Sequence, residues 1–279
     1  MKKALRSFPA AIRRQERAYR EEMKIRKAFG KLSLLPSNTS TAKPVHPWRL
    51  CPFGEFYRKG HNQKAYIKKN GTRARGSVHP NECVTNQTGK DQLYAEEIQE
   101  IAKLHFATLT DLPTAKILSK YPNETAFDHL IAGWTKYWNE VFQPTDPLEH
   151  NFVKALITSE SGFRTTASNG KKGLKRARGL MQVTDESVKL LSYRGKELKD
   201  HFVNLKADDM LDPNLTICAG IRWLFRKREI AESRAKDVTW PKVVMLYKNY
   251  SSLQDQQMQK FMGFYEALKY ADKTKLKGR

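Results

Sequence analysis

The chain has 279 residues, enough for one full domain with extensions or for two small ones. Hydrophobic residues make up 39% and charged residues 29%, a globular but polar composition, and nowhere do about eighteen apolar residues run together as a membrane span requires. The 51 Lys and Arg against 29 Asp and Glu give a formal net charge of +22, which draws the protein to polyanions: nucleic acid, anionic lipid or acidic wall polymers.

The start, "MKKALRSFPAAIRRQERAYREEMKIRK", has the lysines of a secretory signal, but Arg13 and Arg14 interrupt any apolar core, so no signal peptide is read. Residues 1–32 read as a basic arm and "KLSLLPSNTSTAKPVHPW" as a Pro/Ser/Thr-rich linker. Arm and linker together are placed at 1–63. A connector at 64–90 follows, with Asn70-Gly71 between alternating segments predicting a hairpin over 65–78. The cysteines are Cys51, Cys83 and Cys218, and an odd number argues against a full disulfide framework. Cys51, His61, His79 and Cys83 have a spacing that fits no common structural zinc pattern. No metal and no cofactor are expected.

From residue 91 the periodicity becomes helical. Tyr94, Ile98, Ile101 and His105 share one face, and Phe127, Leu130, Ile131, Trp134 and Trp138 share another. Asp212 with Pro213, and Thr239 with Pro241, mark two helix starts. Val243, Leu246, Tyr247 and Tyr250 form the stripe of the second of these. Met258, Phe261, Met262, Tyr265 and Leu268 form that of a last helix. Cys218, within "LTICAGI", reads as a small core residue. The fold class is mainly α, with one helical domain over 91–272 behind a basic arm and a short hairpin region.

"FVKALITSESGF" puts a carboxylate on an apolar stripe. Val153, Leu156 and Ile157 are followed at the seventh position by Glu160, rotated from Val153 by only about 20° on an ideal helix. Two readings stand: a helix-end carboxylate reaching water or an Arg, or a shielded acid with a raised pKa that donates a proton near neutrality. The general acid of lysozyme is an instance of the second, a carboxyl raised by an apolar pocket. After Glu160 come a break at Gly162, a polar loop, and "GLMQVTDESVKLL", where Gly179 permits close approach of backbone and Gln182 offers donor and acceptor. Asp185 and Glu186 suit the first turn of the next helix.

"ALITSESGF", a Ser in "ASNG", "ARGLMQVT", "LDPNLTICAGIRWL" and "LYKNY", in that order, resemble the motifs of the soluble lytic transglycosylases. These are lysozyme-like enzymes of peptidoglycan cleavage (glycoside hydrolase family 23). The resemblance spans residues 126–270. It implies a lysozyme-like domain, Glu160 as the single catalytic acid, and Ser168 contacting sugar near the scissile bond. It further implies that Met181 and Gln182 line the cleft and that Tyr247 sits near the acid. By itself Tyr247 reads as a core aromatic. Two departures stand out. The loop before Gly179 is long and basic, with Lys171, Lys172, Lys175, Arg176 and Arg178. "LYKNY" lacks the family's Tyr-Asn-Ala-Gly run, displacing Asn249 by one.

The implied partner is the peptidoglycan glycan strand, cleaved by a lyase that closes a 1,6-anhydro ring. A hydrolytic muramidase of the same fold is the alternative, and a basic nucleic-acid-binding protein is the alternative from another class, unsupported by any recognised motif. The substrate lies in the periplasm or outside the cell, yet no signal is visible. The expectation is a chain made in the cytoplasm and carried out by a secretion machine or phage particle through its N-terminal region.

Overall fold

The computed structural model describes residues 46–86, 88–250 and 252–277, with side chains as far as 272. The basic arm and the linker up to residue 45 lie outside the described residues.

Residues 55–85 form a long two-stranded ribbon of three successive antiparallel pairings. β1 (Glu55–Arg58) pairs with β6 (Glu82–Thr85), β2 (His61–Gln63) with β5 (Ser77–His79), and β3 (Tyr66–Ile67) with β4 (Arg73–Ala74). The tip is the Asn70-Gly71 turn. Gly71 has φ +78, and its amide donates to the Lys68 carbonyl at 2.9 Å. That conformation suits glycine because a Cβ would crowd the backbone. The ribbon starts earlier than the sequence suggests. Residues 46–63, expected as linker, hold turns and two strands, because β2 reads His-Asn-Gln, fully exposed, and offers no alternation to detect. A disulfide joins Cys51 to Cys83 at the base of the ribbon. The zinc spacing considered above is therefore not a ligand set: its two cysteines bond each other, and His61 stacks on His79 across the ladder, ring centroids 4.8 Å apart.

The helical body follows. Its elements are β7 (Gln92–Tyr94), α1 (Ala95–His105), α2 (Asp128–Phe142), α3 (His150–Ser161), β8 (Ala177–Arg178), β9 (Val183–Thr184), α4 (Asp185–Leu191), β10 (Phe202–Asn204), α5 (Pro213–Glu232), α6 (Trp240–Lys248) and α7 (Gln256–Lys277). β7 and β10 pair in parallel, and β8 and β9 make a small antiparallel pair. This is the mainly α, lysozyme-like architecture expected.

Helix α5 runs through the centre. Every residue from Asn214 to Phe225 is buried, as befits a helix apolar on nearly all sides. Its start follows the sequence grammar: the Asp212 side chain accepts from the amides of Asn214 and Leu215 at 2.8 and 3.0 Å, with Pro213 in the first turn. Trp134 and Trp138 of α2 hydrogen-bond into it, Trp138 Nε1 donating to the Cys218 carbonyl at 3.0 Å. Cys218 is the buried free thiol expected.

Helix α3 is the second buried helix, with residues 151–158 all shielded. Phe152 meets Phe261 and Tyr265 of α7 edge-on, centroids 4.9 and 5.0 Å apart. Lys154 is fully buried, and its ammonium is matched by Asp128 at 2.9 Å and the Thr114 carbonyl at 2.9 Å. A charge there without partners would be expelled to water or neutralised. Packed on several sides, α3 holds its last turn rigidly, and that turn carries Glu160.

Candidate active site

Glu160 lies one residue before the end of α3. Gly162 closes the helix in the left-handed conformation (φ +57), and its amide donates to the Thr158 carbonyl at 3.1 Å. Phe163 is also left-handed (φ +64) and buried, so the chain turns sharply away and leaves the Glu160 carboxyl facing the end of α6. The side chain is 16% exposed. Burial pushes its carboxyl above the ordinary range. The Lys248 ammonium pulls it back only in part, leaving a raised pKa.

Lys248, the last residue of α6, is the direct partner. Its Nζ stands 2.6 Å from Glu160 Oε1 and 3.2 Å from Ser159 Oγ, and the side chain is 5% exposed. Tyr250 lies beside it, with Nζ 5.6 Å from the ring centroid. Asn249, the residue displaced from the family's run, is exposed and left-handed (φ +56), the cap of α6. Asn tolerates that conformation well.

The other expected residues form a second layer. Tyr247 packs on the core and donates its hydroxyl hydrogen to the Met181 carbonyl at 2.7 Å. Burial and the nearby Glu160 charge both push its phenol up, so it stays a donor. Met181 contributes that carbonyl, while its fully buried side chain lies on Gly220 of α5, where a Cβ would come within 2.4 Å of the sulfur. Gln182, left-handed at φ +48, donates from Nε2 to the carbonyls of Ala167 and Gly179 at 3.0 and 2.9 Å. The Gly179 amide donates to the same Ala167 carbonyl at 2.9 Å.

Gly179 faces protein. Its φ is +72, and a Cβ would stand 1.8 Å from the Met210 carbonyl oxygen, so the turn needs glycine to lie against residues 207–211. Ser168 is exposed, bridged to Arg178 across the loop, with its Oγ accepting weakly from the Gly170 amide at 3.4 Å. The structure thus gathers Tyr247, Met181, Gln182 and Gly179 into one bonded unit behind Glu160. Ser168 stands at the edge of that unit.

Asp185 and Glu186 occupy the first turn of α4, as expected, capped by Thr184. Asp185 is held by Arg178, with Nε and Nη2 each 3.1 Å from a carboxylate oxygen, and Arg178 also pairs with Asp208. Of the five basic residues of the loop, Arg178 is engaged in this way and the other four are exposed. Lys248 is the residue that sequence reasoning passed over. It sits where "LYKNY" departs from the family's run, which marks the position but not its pairing with Glu160.

This arrangement is one shielded acid at the end of a buried helix, paired with Lys248 and near the phenol of Tyr247, which is bonded to the Met181 carbonyl, in a mainly α body. Residues 140–255 match the family model described as the transglycosylase SLT domain, a family whose members are lytic transglycosylases acting on peptidoglycan. The ribbon, α1 and most of α2 lie outside the match. No curated protein and no solved structure matches the chain.

Proposed function

We propose that the protein is a peptidoglycan lytic transglycosylase in which Glu160 acts first as acid and then as base. Protonated Glu160 gives its hydrogen to the oxygen linking N-acetylmuramic acid to N-acetylglucosamine, and that bond breaks. The carboxylate then takes the proton of the muramyl C6 hydroxyl. The freed oxygen attacks C1 and closes a 1,6-anhydro ring, with no water consumed. Because the attack is intramolecular, binding geometry supplies much of its entropy cost.

The observation that carries this reading is the shielded carboxyl of Glu160, raised by burial. Most glycosidases need a second carboxylate as base or nucleophile. Among the described residues no carboxylate perturbs Glu160, and Asp185, which follows the Gln182 turn, is engaged by Arg178. That favours the lyase over the muramidase. Ser168 and the Gln182 turn are assigned to sugar contact, and the exposed lysines of the 171–176 loop to the acidic groups of the stem peptides. The Cys51–Cys83 bond supports action outside the cytoplasm, since such bonds persist in oxidising compartments. The N-terminal region, with its basic arm at 1–32, is assigned to a secretion-machine or phage carrier. A chain lacking the arm should still cleave but fail to be delivered.

Mass spectrometry of digested sacculi tests the reading. Muramyl ends lighter by one water are expected. Reducing ends would make the enzyme a muramidase, and no release at all would remove the enzymatic account. Glu160→Gln keeps the shape without the proton donor, so release should stop while the circular dichroism spectrum is unchanged.

A further inference from the structure

The Glu160–Lys248 pair poses a problem for the proposed chemistry. Acid catalysis needs Glu160 with its proton, yet an ammonium 2.6 Å from Oε1 favours the carboxylate. The pair is fixed: Lys248 is nearly buried, held by Ser159 as well, and rooted in the last residue of α6. Two helix C-termini meet here, those of α3 and α6. The negative ends of their helix dipoles favour a cation and disfavour an anion. Lys248 therefore works against the proton that burial favours. With Lys248 gone, everything around it favours the neutral acid.

We propose that Lys248 is a positioning residue: it holds Glu160 ionised and in place while the cleft is empty, and an anionic group borne by the substrate beside the scissile bond draws the ammonium away, freeing the carboxyl to take a proton from solvent. The proposal rests on the reading of Glu160 as the catalytic acid. Its logic is an exchange of partners. A nearly buried ammonium left unpaired is costly, so it leaves the carboxylate only for another anion. Muramyl strands carry stem-peptide carboxylates attached beside the bond to be cut, and neutral glycans carry none. The gate therefore selects an acidic glycan. Besides Lys248, the titratable groups facing Glu160 are the phenols of Tyr247 and Tyr250, both pushed up and so neutral. α3 itself adds the Ser159 hydroxyl. The adjoining loop adds Arg164, whose Nε is turned to the Ser161 carbonyl at 3.1 Å.

Two measurements decide it. The first is the titration of the Glu160 carboxyl carbon by NMR in the wild-type protein, Lys248→Met and Lys248→Arg, with Glu160→Gln fixing the assignment. Methionine fills the same space without charge. Its midpoint should rise by one unit or more, about tenfold in proton affinity, while the arginine variant stays near wild type. A midpoint unmoved in Lys248→Met overturns the positioning role. Should that variant fail to fold, Lys248→Gln answers the same question. The second is the cleavage rate on strands with free stem carboxylates against the same strands amidated. Wild type should lose about tenfold or more in kcat on the amidated strands, a loss Lys248→Met should not show, while weaker binding by the loop lysines raises KM in both. Equal discrimination by both proteins overturns the exchange. The titration needs no activity: an inactive wild type with a Lys248-dependent midpoint would sink the enzymatic reading and the exchange while leaving the resting pair intact.

Discussion

Glu160 is governed by two opposed influences, and burial is the larger, so its carboxyl sits above the 4.5 of an ordinary glutamic acid. The sign follows directly. The protonated, competent form is present below that raised midpoint and is lost above it. A plot of kcat/KM against pH should fall about tenfold per unit on the basic side of that midpoint. A flat profile there would exclude Glu160 as the acid. Tyr247 acts one layer back. Tyr247→Phe removes the bond to the Met181 carbonyl and leaves that acceptor shielded, a cost of about 1–2 kcal/mol. Denaturant unfolding should show that loss, and cleavage should slow because the Met181–Gln182 turn is no longer tied to α6. The stripe over Val153, Leu156 and Ile157 put Glu160 on the buried side of its helix and left two readings, a helix-end carboxylate with a partner or a shielded acid, because helical periodicity is local. Its ammonium partner was not legible, since 88 residues separate Glu160 from Lys248 and only the meeting of α3 with α6 joins them.

Among the elements, the helix starts were the most readable features and the loops the least. Asp212 and Pro213 announced α5, and the bonds to Asn214 and Leu215 are those such a pair makes. Asp212→Ala should cost about 1 kcal/mol, read as a lower unfolding midpoint in denaturant with an unchanged slope. Thr239 follows the same grammar, and it does stand at the start of α6 but makes no capping hydrogen bond. Gly179 shows why loops resist sequence reading. Its freedom suits a ligand on paper, yet the Met210 carbonyl fills the space a side chain would need. Gly179→Ala combines that clash with a left-handed backbone and should cost about 3 kcal/mol or more, seen as a large fall in melting temperature. An alanine variant as stable as wild type would mean that residues 207–211 do not pack there.

For the molecule as a whole, the disulfide and the buried charges set the conditions under which the fold persists. Cys51 and Cys83 are 32 residues apart, and closing such a loop stabilises by about 3–4 kcal/mol in the chain-entropy account. Thiol titration in denaturant should find one reactive group, Cys218, without reductant and three with it. Cys51→Ser with Cys83→Ser should raise hydrogen exchange in the ribbon before it lowers the melting temperature of the helical body. His46 lies where the chain enters that body, against Glu140 at 2.9 Å, and burial lowers its pKa from 6.5 to about 4. The unfolded chain therefore binds this proton first. The stability it contributes is complete above pH 6.5 and is lost as pH falls from there toward 4. His46→Gln should flatten the decline of melting temperature across that interval.

The sequence by itself determined the mainly α class, the helices that bury a stripe and the tip of the ribbon. Each of these depends on neighbours within a turn or two, where spacing alone dictates which side chains share a face. Only the tertiary structure decided that two cysteines at the ends of an unpatterned polar ribbon meet, that a glycine serves packing, and that an ammonium from one helix end closes on a carboxyl at another. Those contacts bring together residues remote in sequence. They depend on how the helices pack, which is set by the sum of the buried surfaces and not by any local run of residues.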